Sequence, residues 1–157
     1  MSTTRANDIR LSRRYRFSAS HRLYADELSE TENRAIFGKC ANPYGHGHDY
    51  VLDVRVRGPL DAETGRIVDL DTLDTLVREV ILNPFEHSNL NVDIPEFGTL
   101  VPTTENLAIV VERRLAREWK SKFSAPPLER VKLDRIKIEE TKRNIFEVCS
   151  GEVSSSS

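Results

Sequence analysis

Cys40-Ala41-Asn42-Pro43-Tyr44-Gly45-His46-Gly47-His48 runs without a break into Asp49-Tyr50-Val51-Leu52-Asp53-Val54-Arg55-Val56-Arg57. In the second half Tyr50, Leu52, Val54 and Val56 share one parity, the signature of a strand with one buried face. His46 and His48 continue that parity backwards. Side chains alternate along a strand, so both imidazoles leave the face that Leu52 and Val54 bury, close enough to reach one metal ion. A second alternating run, Tyr15, Phe17 and Ala19, ends at His21, again on the apolar parity. Three of the chain's four histidines therefore fall at ligand positions on two strands. Neutral imidazole is a ligand that Zn²⁺ favours, and three protein ligands with an open fourth corner make a catalytic site.

At 157 residues the chain is expected to be one domain, over 1–150, with a disordered serine-rich tail over 151–157. Its 31% charged residues and 38% apolar residues are those of a water-soluble globular protein. A formal net charge of −2 gives no basic face for nucleic acid. Arg10, Arg13, Arg14 and Arg16 do cluster, and the alternation reads them as the wet side of the first strand. No apolar run reaches membrane-spanning length, and the first residues lack a secretory apolar segment, so a cytoplasmic location is expected. Cys40 and Cys149 could pair, but in a reducing compartment a thiol beside histidines reads as ligand or catalyst.

Working outward, the first strand is expected over roughly Ile9 to Ala19. Ser29-Glu30-Thr31-Glu32 has capping-box spacing for a short helical turn. Turn residues at Asp61 to Gly65 followed by Ile67, Val68 and Leu70 predict a hairpin strand. Leu73, Leu76, Val77, Val80 and Ile81 predict an amphipathic helix over Asp71 to Leu82, stopped by Pro84. Thr103 or Thr104 caps a second helix with Leu107, Val111 and Leu115 inward. Strands return after Ser124-Ala125-Pro126-Pro127. The parity slips between Val131/Leu133 and Ile136/Ile138, which predicts a bulge near Asp134 or Arg135. A last strand spans Ile145 to Val148. Helices adjacent in sequence, rather than alternating with strands, predict an α+β fold: an antiparallel sheet with both helices on one face.

Chemistry attaches to three further residues. Cys40 can serve as a fourth ligand, a nucleophile or a general base. Its six-residue distance from His46 exceeds the spacing of structural zinc knuckles and favours a thiol near the metal but outside its coordination sphere. Glu86-His87 places an imidazole beside a carboxylate, a pair suited to proton shuttling. Glu140 shares parity with Ile136 and Ile138, so a carboxylate points inward at a strand end. There it could accept donors from a flat heterocycle, orient His87, or pair with an arginine.

Phe17-Ser18-Ala19-Ser20-His21, Phe37-Gly38-Lys39-Cys40, Gly45-His46-Gly47-His48, Pro102-Thr103-Thr104-Glu105-Asn106, Glu140-Thr141 and Asn144-Ile145 together resemble the 6-pyruvoyl tetrahydropterin synthase family, of the tunnelling fold. The resemblance implies a lyase that converts 7,8-dihydroneopterin triphosphate to 6-pyruvoyltetrahydropterin with loss of triphosphate. It implies zinc on His21, His46 and His48, Cys40 as the base, His87 as a proton relay, and Glu140 as pterin anchor. Thr103, Thr104 and Glu105 match a segment beside the pterin pocket. It also implies a homohexamer, two trimers face to face, with sites at subunit interfaces and no nicotinamide. The chain departs from the family at Glu86, where Asp is usual, and at Ala41, where Asn is usual. Two other readings stand beside this one: a 6-carboxytetrahydropterin synthase of queuosine biosynthesis, and a catalytically silent zinc- or pterin-binding module.

Overall fold

The computed structural model describes residues 7–126 and 130–151. The serine-rich tail from 152 onward lies outside the described residues, as do residues 1–6 and Pro127. Strand β1 (Asp8–His21) pairs antiparallel along its whole length with β2 (His46–Pro59), and the register sets His21 opposite His46. Between them lie α1 (Glu30–Phe37) and a 3₁₀ turn over Gly38–Ala41. The capping box closes as its spacing predicts: Ser29 Oγ accepts from the Glu32 N–H, and the Glu32 carboxylate accepts from the Ser29 N–H. After β2 come α2 (Leu70–Val77), a π turn over Arg78–Leu82, α3 (Asn83–Phe85), the two-residue β3 (Ser88–Asn89) and α4 (Leu90–Asp93). The long helix α5 (Thr104–Lys122) leads to β4 (Lys132–Glu139) and β5 (Ile145–Cys149). Strand order in the sheet is β3-β1-β2-β4-β5, antiparallel except for the short β1/β3 pair.

The alternation does what it promises. Tyr50, Leu52, Val54 and Val56 are fully buried, together with Leu73, Leu76, Leu107, Val111, Leu115, Ile136 and Ile138. They form one core between the sheet and the two main helices. The opposite face of the sheet carries charge, with the Arg14 guanidinium on Asp53 and Lys137 Nζ 3.5 Å from the same carboxylate. The parity slip in β4 is a bulge: Arg135 pairs with Arg55 and Leu133 with Val56, leaving Asp134 between them. Its carboxylate accepts from Arg55 Nε at 2.6 Å.

Three local expectations give way. Ile67 to Asp69 form no strand, because only three residues separate the Asp61–Arg66 turn from Leu70, the first residue of α2; Val68 is buried as irregular chain. The helix is not stopped at Pro84. Its hydrogen bonding widens over Arg78–Leu82, so Pro84 falls in the first turn of α3, where a missing N–H costs nothing. Arg13 leaves the wet side, since it shares parity with Tyr15 and turns toward α2. There it forms a two-pronged bond to Asp74 at 2.9 and 2.7 Å, and Tyr15 donates to the same carboxylate at 2.7 Å.

Candidate metal centre

The site lies where β1 ends and β2 begins. Gly45 makes that junction possible. It has φ +76°, and a Cβ there would stand 3.0 Å from the His21 carbonyl oxygen, so any other residue would force the strand ends apart. With the ends held close, the His21 and His48 rings meet edge to face at 4.9 Å between centroids, and those of His46 and His48 at 4.5 Å. Cys40 is brought in by the 3₁₀ turn, whose carbonyl at residue 40 accepts from the Leu23 N–H at 2.7 Å.

Donor atoms of His21, Cys40 and His48 all lie within 4.8 Å of one another, a cluster that could hold a metal ion. His46 sits outside this tightest trio, with its ring exposed beside His48. The polar atoms of the trio suit a cation. His21 Nδ1 lies 2.8 Å from the Pro102 carbonyl oxygen, which can only accept, so Nδ1 carries the proton and Nε2 keeps its lone pair. His21 is 1% exposed, and its Nε2 is buried without a hydrogen-bond partner. His48 Nε2 is likewise buried without a hydrogen bond, 3.4 Å from Glu140 Oε1. Two buried ring nitrogens without hydrogen bonds, beside a thiol and a carboxylate, fit a divalent metal of the zinc type. Burial holds both the His21 and the His48 imidazole below the ordinary histidine pKa, which keeps them in the neutral form a metal requires. Burial and then the Glu140 charge push the Cys40 thiol up.

Of the remaining site residues, Glu140 stands where its parity puts it, just past β4 and against His48. Thr103 caps α5 by accepting from the Asn106 N–H at 3.2 Å; Thr104 is buried with an unpartnered hydroxyl, and Glu105 is exposed in the first turn. The His21–Pro102 bond thus joins the metal cluster to the start of this helix. Glu86 and His87 do not join the cluster. Both Glu86 oxygens lie 3.4 Å from the Ser18 N–H, and Glu86 Oε1 lies 3.2 Å from His87 Nε2. His87 lines a cavity of about 310 Å³ with His48, Asp49 and Ser88, and Cys40 is not among the lining residues. The sequence reading missed two contributors. Tyr50, fully buried with its hydroxyl 3.4 Å from His21 Nδ1, could have been found from its parity with His48. The Pro102 carbonyl carries no side-chain signal.

The sequence matches the family model for 6-pyruvoyl tetrahydropterin synthase over residues 10–150. It is 42% identical over 142 residues to the 6-pyruvoyl tetrahydrobiopterin synthase of Homo sapiens, covering 90% of this chain and 91% of that one. Its fold superposes on the structure of Caenorhabditis elegans 6-pyruvoyl tetrahydropterin synthase with a TM-score of 0.81, at 39% identity, over 95% of this chain and 100% of that one. Likeness to the 6-carboxy-5,6,7,8-tetrahydropterin synthase of Haemophilus influenzae is weaker, 30% over 83 residues, and reaches 51% of this chain and 50% of that one. With its fold, its histidine cluster and a family match that spans nearly the whole chain, the protein belongs to the 6-pyruvoyl tetrahydropterin synthase family.

Proposed function

We infer that the chain is a lyase that converts 7,8-dihydroneopterin triphosphate to 6-pyruvoyltetrahydropterin, eliminating triphosphate and redistributing hydrogen within the substrate. The observation that carries this reading is the pair of buried, unpartnered Nε2 atoms on His21 and His48 beside the Cys40 thiol, in a chain of this family.

Zinc is the proposed ion, held by His21, His46 and His48. His46 faces His21 across the β1/β2 register and packs against His48, so a turn of its exposed ring brings a third imidazole to the trio. The bound ion would polarise the hydroxylated side chain of the substrate and favour loss of a proton from the neighbouring carbon. Cys40 removes that proton. Burial and then the Glu140 charge raise the pKa of its thiol, and a cation held by the histidines would act in the opposite direction. Glu140 anchors the pterin ring by accepting from its amino and ring N–H groups, while Thr103, Thr104 and Glu105 form the adjoining wall. His87, oriented by Glu86, relays protons. In this reading the relay reaches Cys40 across a subunit boundary.

That requirement agrees with a homohexamer of two trimers, and with the main-chain edge of β1, which β3 covers only at Ala19 and Ser20. A cytoplasmic location is supported by Cys40 and Cys149 being free thiols. No helix among the described residues is long and apolar enough to cross a membrane.

Incubating the zinc-loaded protein with 7,8-dihydroneopterin triphosphate tests the reading. One equivalent of triphosphate with 6-pyruvoyltetrahydropterin is expected. Recovery of 6-carboxytetrahydropterin alone would assign the other member of the superfamily, and metal binding without triphosphate release would make the chain a silent module.

A further inference from the structure

Arg22 follows directly after His21 and is held on every side that the fold offers. Its backbone is clamped by the Asn91 amide: the Arg22 N–H donates to Asn91 Oδ1 at 2.7 Å, and Asn91 Nδ2 donates to the Arg22 carbonyl at 2.9 Å. Its side chain is fixed twice more. Nε donates to the Ala41 carbonyl oxygen at 3.1 Å, and the guanidinium carbon lies over the Tyr24 ring, 4.1 Å from the centroid. The two contacts use Nε and one π face and leave the terminal amino groups of the fork uncommitted. Other organised arginines of the chain each face a carboxylate: Arg13 has Asp74, Arg14 has Asp53, Arg55 has Asp134 and Arg114 has Glu96. Arg22 has none within ion-pair distance among the described residues. Half-buried, pre-oriented and uncompensated, it is a cation built for an anion that the protein itself does not supply.

Position says which anion. Arg22 is the residue after His21, and the Ala41 carbonyl that its Nε bonds belongs to the residue after Cys40, so the guanidinium is fastened one residue away from two members of the cluster. An arginine fork with free terminal N–H groups matches phosphate oxygens in two-pronged fashion. Lys39, Lys142 and Arg143 also lie near the site motifs in sequence, yet all three side chains are exposed and no contact orients them toward the cluster.

We propose that Arg22 anchors the phosphate arm of the substrate, a role that rests on the lyase reading above. The Asn91 clamp, the Ala41 carbonyl and the Tyr24 ring act as positioning groups that set its fork before substrate arrives. An ordered arginine loses little freedom on binding, so the arm is gripped at low entropic cost.

The test compares Arg22→Gln with wild type as zinc-loaded full-length protein, using 7,8-dihydroneopterin triphosphate for turnover and unphosphorylated neopterin for binding. R22Q should raise KM for the triphosphate substrate at least tenfold, with zinc content and neopterin affinity within twofold of wild type. The wild-type KM should climb with added salt more steeply than that of the variant. Tyr24→Leu, which removes the supporting ring and no charge, should raise KM in the same direction by a smaller factor and serves where R22Q fails to fold. An unchanged KM, or equal weakening of neopterin and the triphosphate ester, overturns the assignment to the arm. If instead the wild-type protein itself neither binds neopterin nor releases triphosphate, the lyase reading fails first and independently of Arg22.

Discussion

His21 Nδ1 meets the carbonyl oxygen of Pro102 at 2.8 Å, so the buried imidazole at the end of β1 is aimed by the backbone that opens α5. Its tautomer is thereby fixed before any metal arrives. His21→Ala should lower zinc affinity by roughly two orders of magnitude or more, since a ligand rather than a supporting contact is lost. Metal analysis after dialysis against a graded chelator measures it, and wild-type zinc retention in H21A would remove His21 from the site.

Cys40 separates two readings of the site, because its sulfur lies within 4.8 Å of donor nitrogens on His21 and His48, as a ligand's could. A base, unlike a ligand, is dispensable for the metal. Cys40→Ala should keep near-stoichiometric zinc while turnover falls by about 10²–10⁴-fold, the usual contribution of a positioned general base. Loss of zinc in C40A would instead make the thiol a ligand.

Glu86 carries one methylene more than the Asp usual in the family, and its carboxylate reaches both Ser18 N–H and His87. Glu86→Gln keeps the length and removes the charge that orients the imidazole. It should cut turnover by about tenfold or more with zinc unchanged, whereas Glu86→Asp should retain activity. A steady-state assay with metal content checked alongside decides it.

Thr103 stands between a helix cap and the histidine cluster. Its hydroxyl caps α5 on the Asn106 N–H, and the preceding carbonyl is the one that holds His21. Thr103→Ala should cost about 1 kcal/mol of stability by the ordinary loss of a cap, read by urea denaturation, and should weaken zinc binding less than H21A does.

Glu96 grips Arg114 with two bonds at 2.6 and 2.7 Å, and these hold its carboxyl below the usual range. A depressed folded-state pKa means that the pair contributes fully above the unfolded value of about 4.5 and less as pH falls through the folded value. Glu96→Gln should therefore cost about 1 kcal/mol near pH 7, allowing for partial exposure, and progressively less in acid. Chemical denaturation of both proteins at pH 7 and pH 4 measures the difference, and an equal loss at both would rule out the ionic origin.

Period and parity carried most of this fold. Tyr50 to Val56 and Phe17 to His21 alternate because one face is buried, and the same rule located the bulge at Asp134. What the sequence did not reveal depends on distant partners. Ile67 and Val68 have strand-like residues but no room to extend before α2, and Arg13 looks solvated until Asp74 of α2 is placed opposite it. Pro84 stops an α-helix but not a chain that has already widened into a π turn. At the site, His21 and His48 were legible from spacing. The proximity of Cys40 needed the Leu23–Cys40 bond, and the braced state of Arg22 needed Asn91, about seventy residues away in the chain.

His87 is the only described residue other than glycine with a positive φ, +56°, and its N–H is spent on the Ser18 carbonyl at 2.7 Å. Left-handed backbone at a bulky side chain is a burden of about 1 kcal/mol that glycine would not carry. On the proton-relay reading, what is best for the folded chain and what is best for moving protons part company at this one position. A glycine there would relax the loop at the cost of the imidazole.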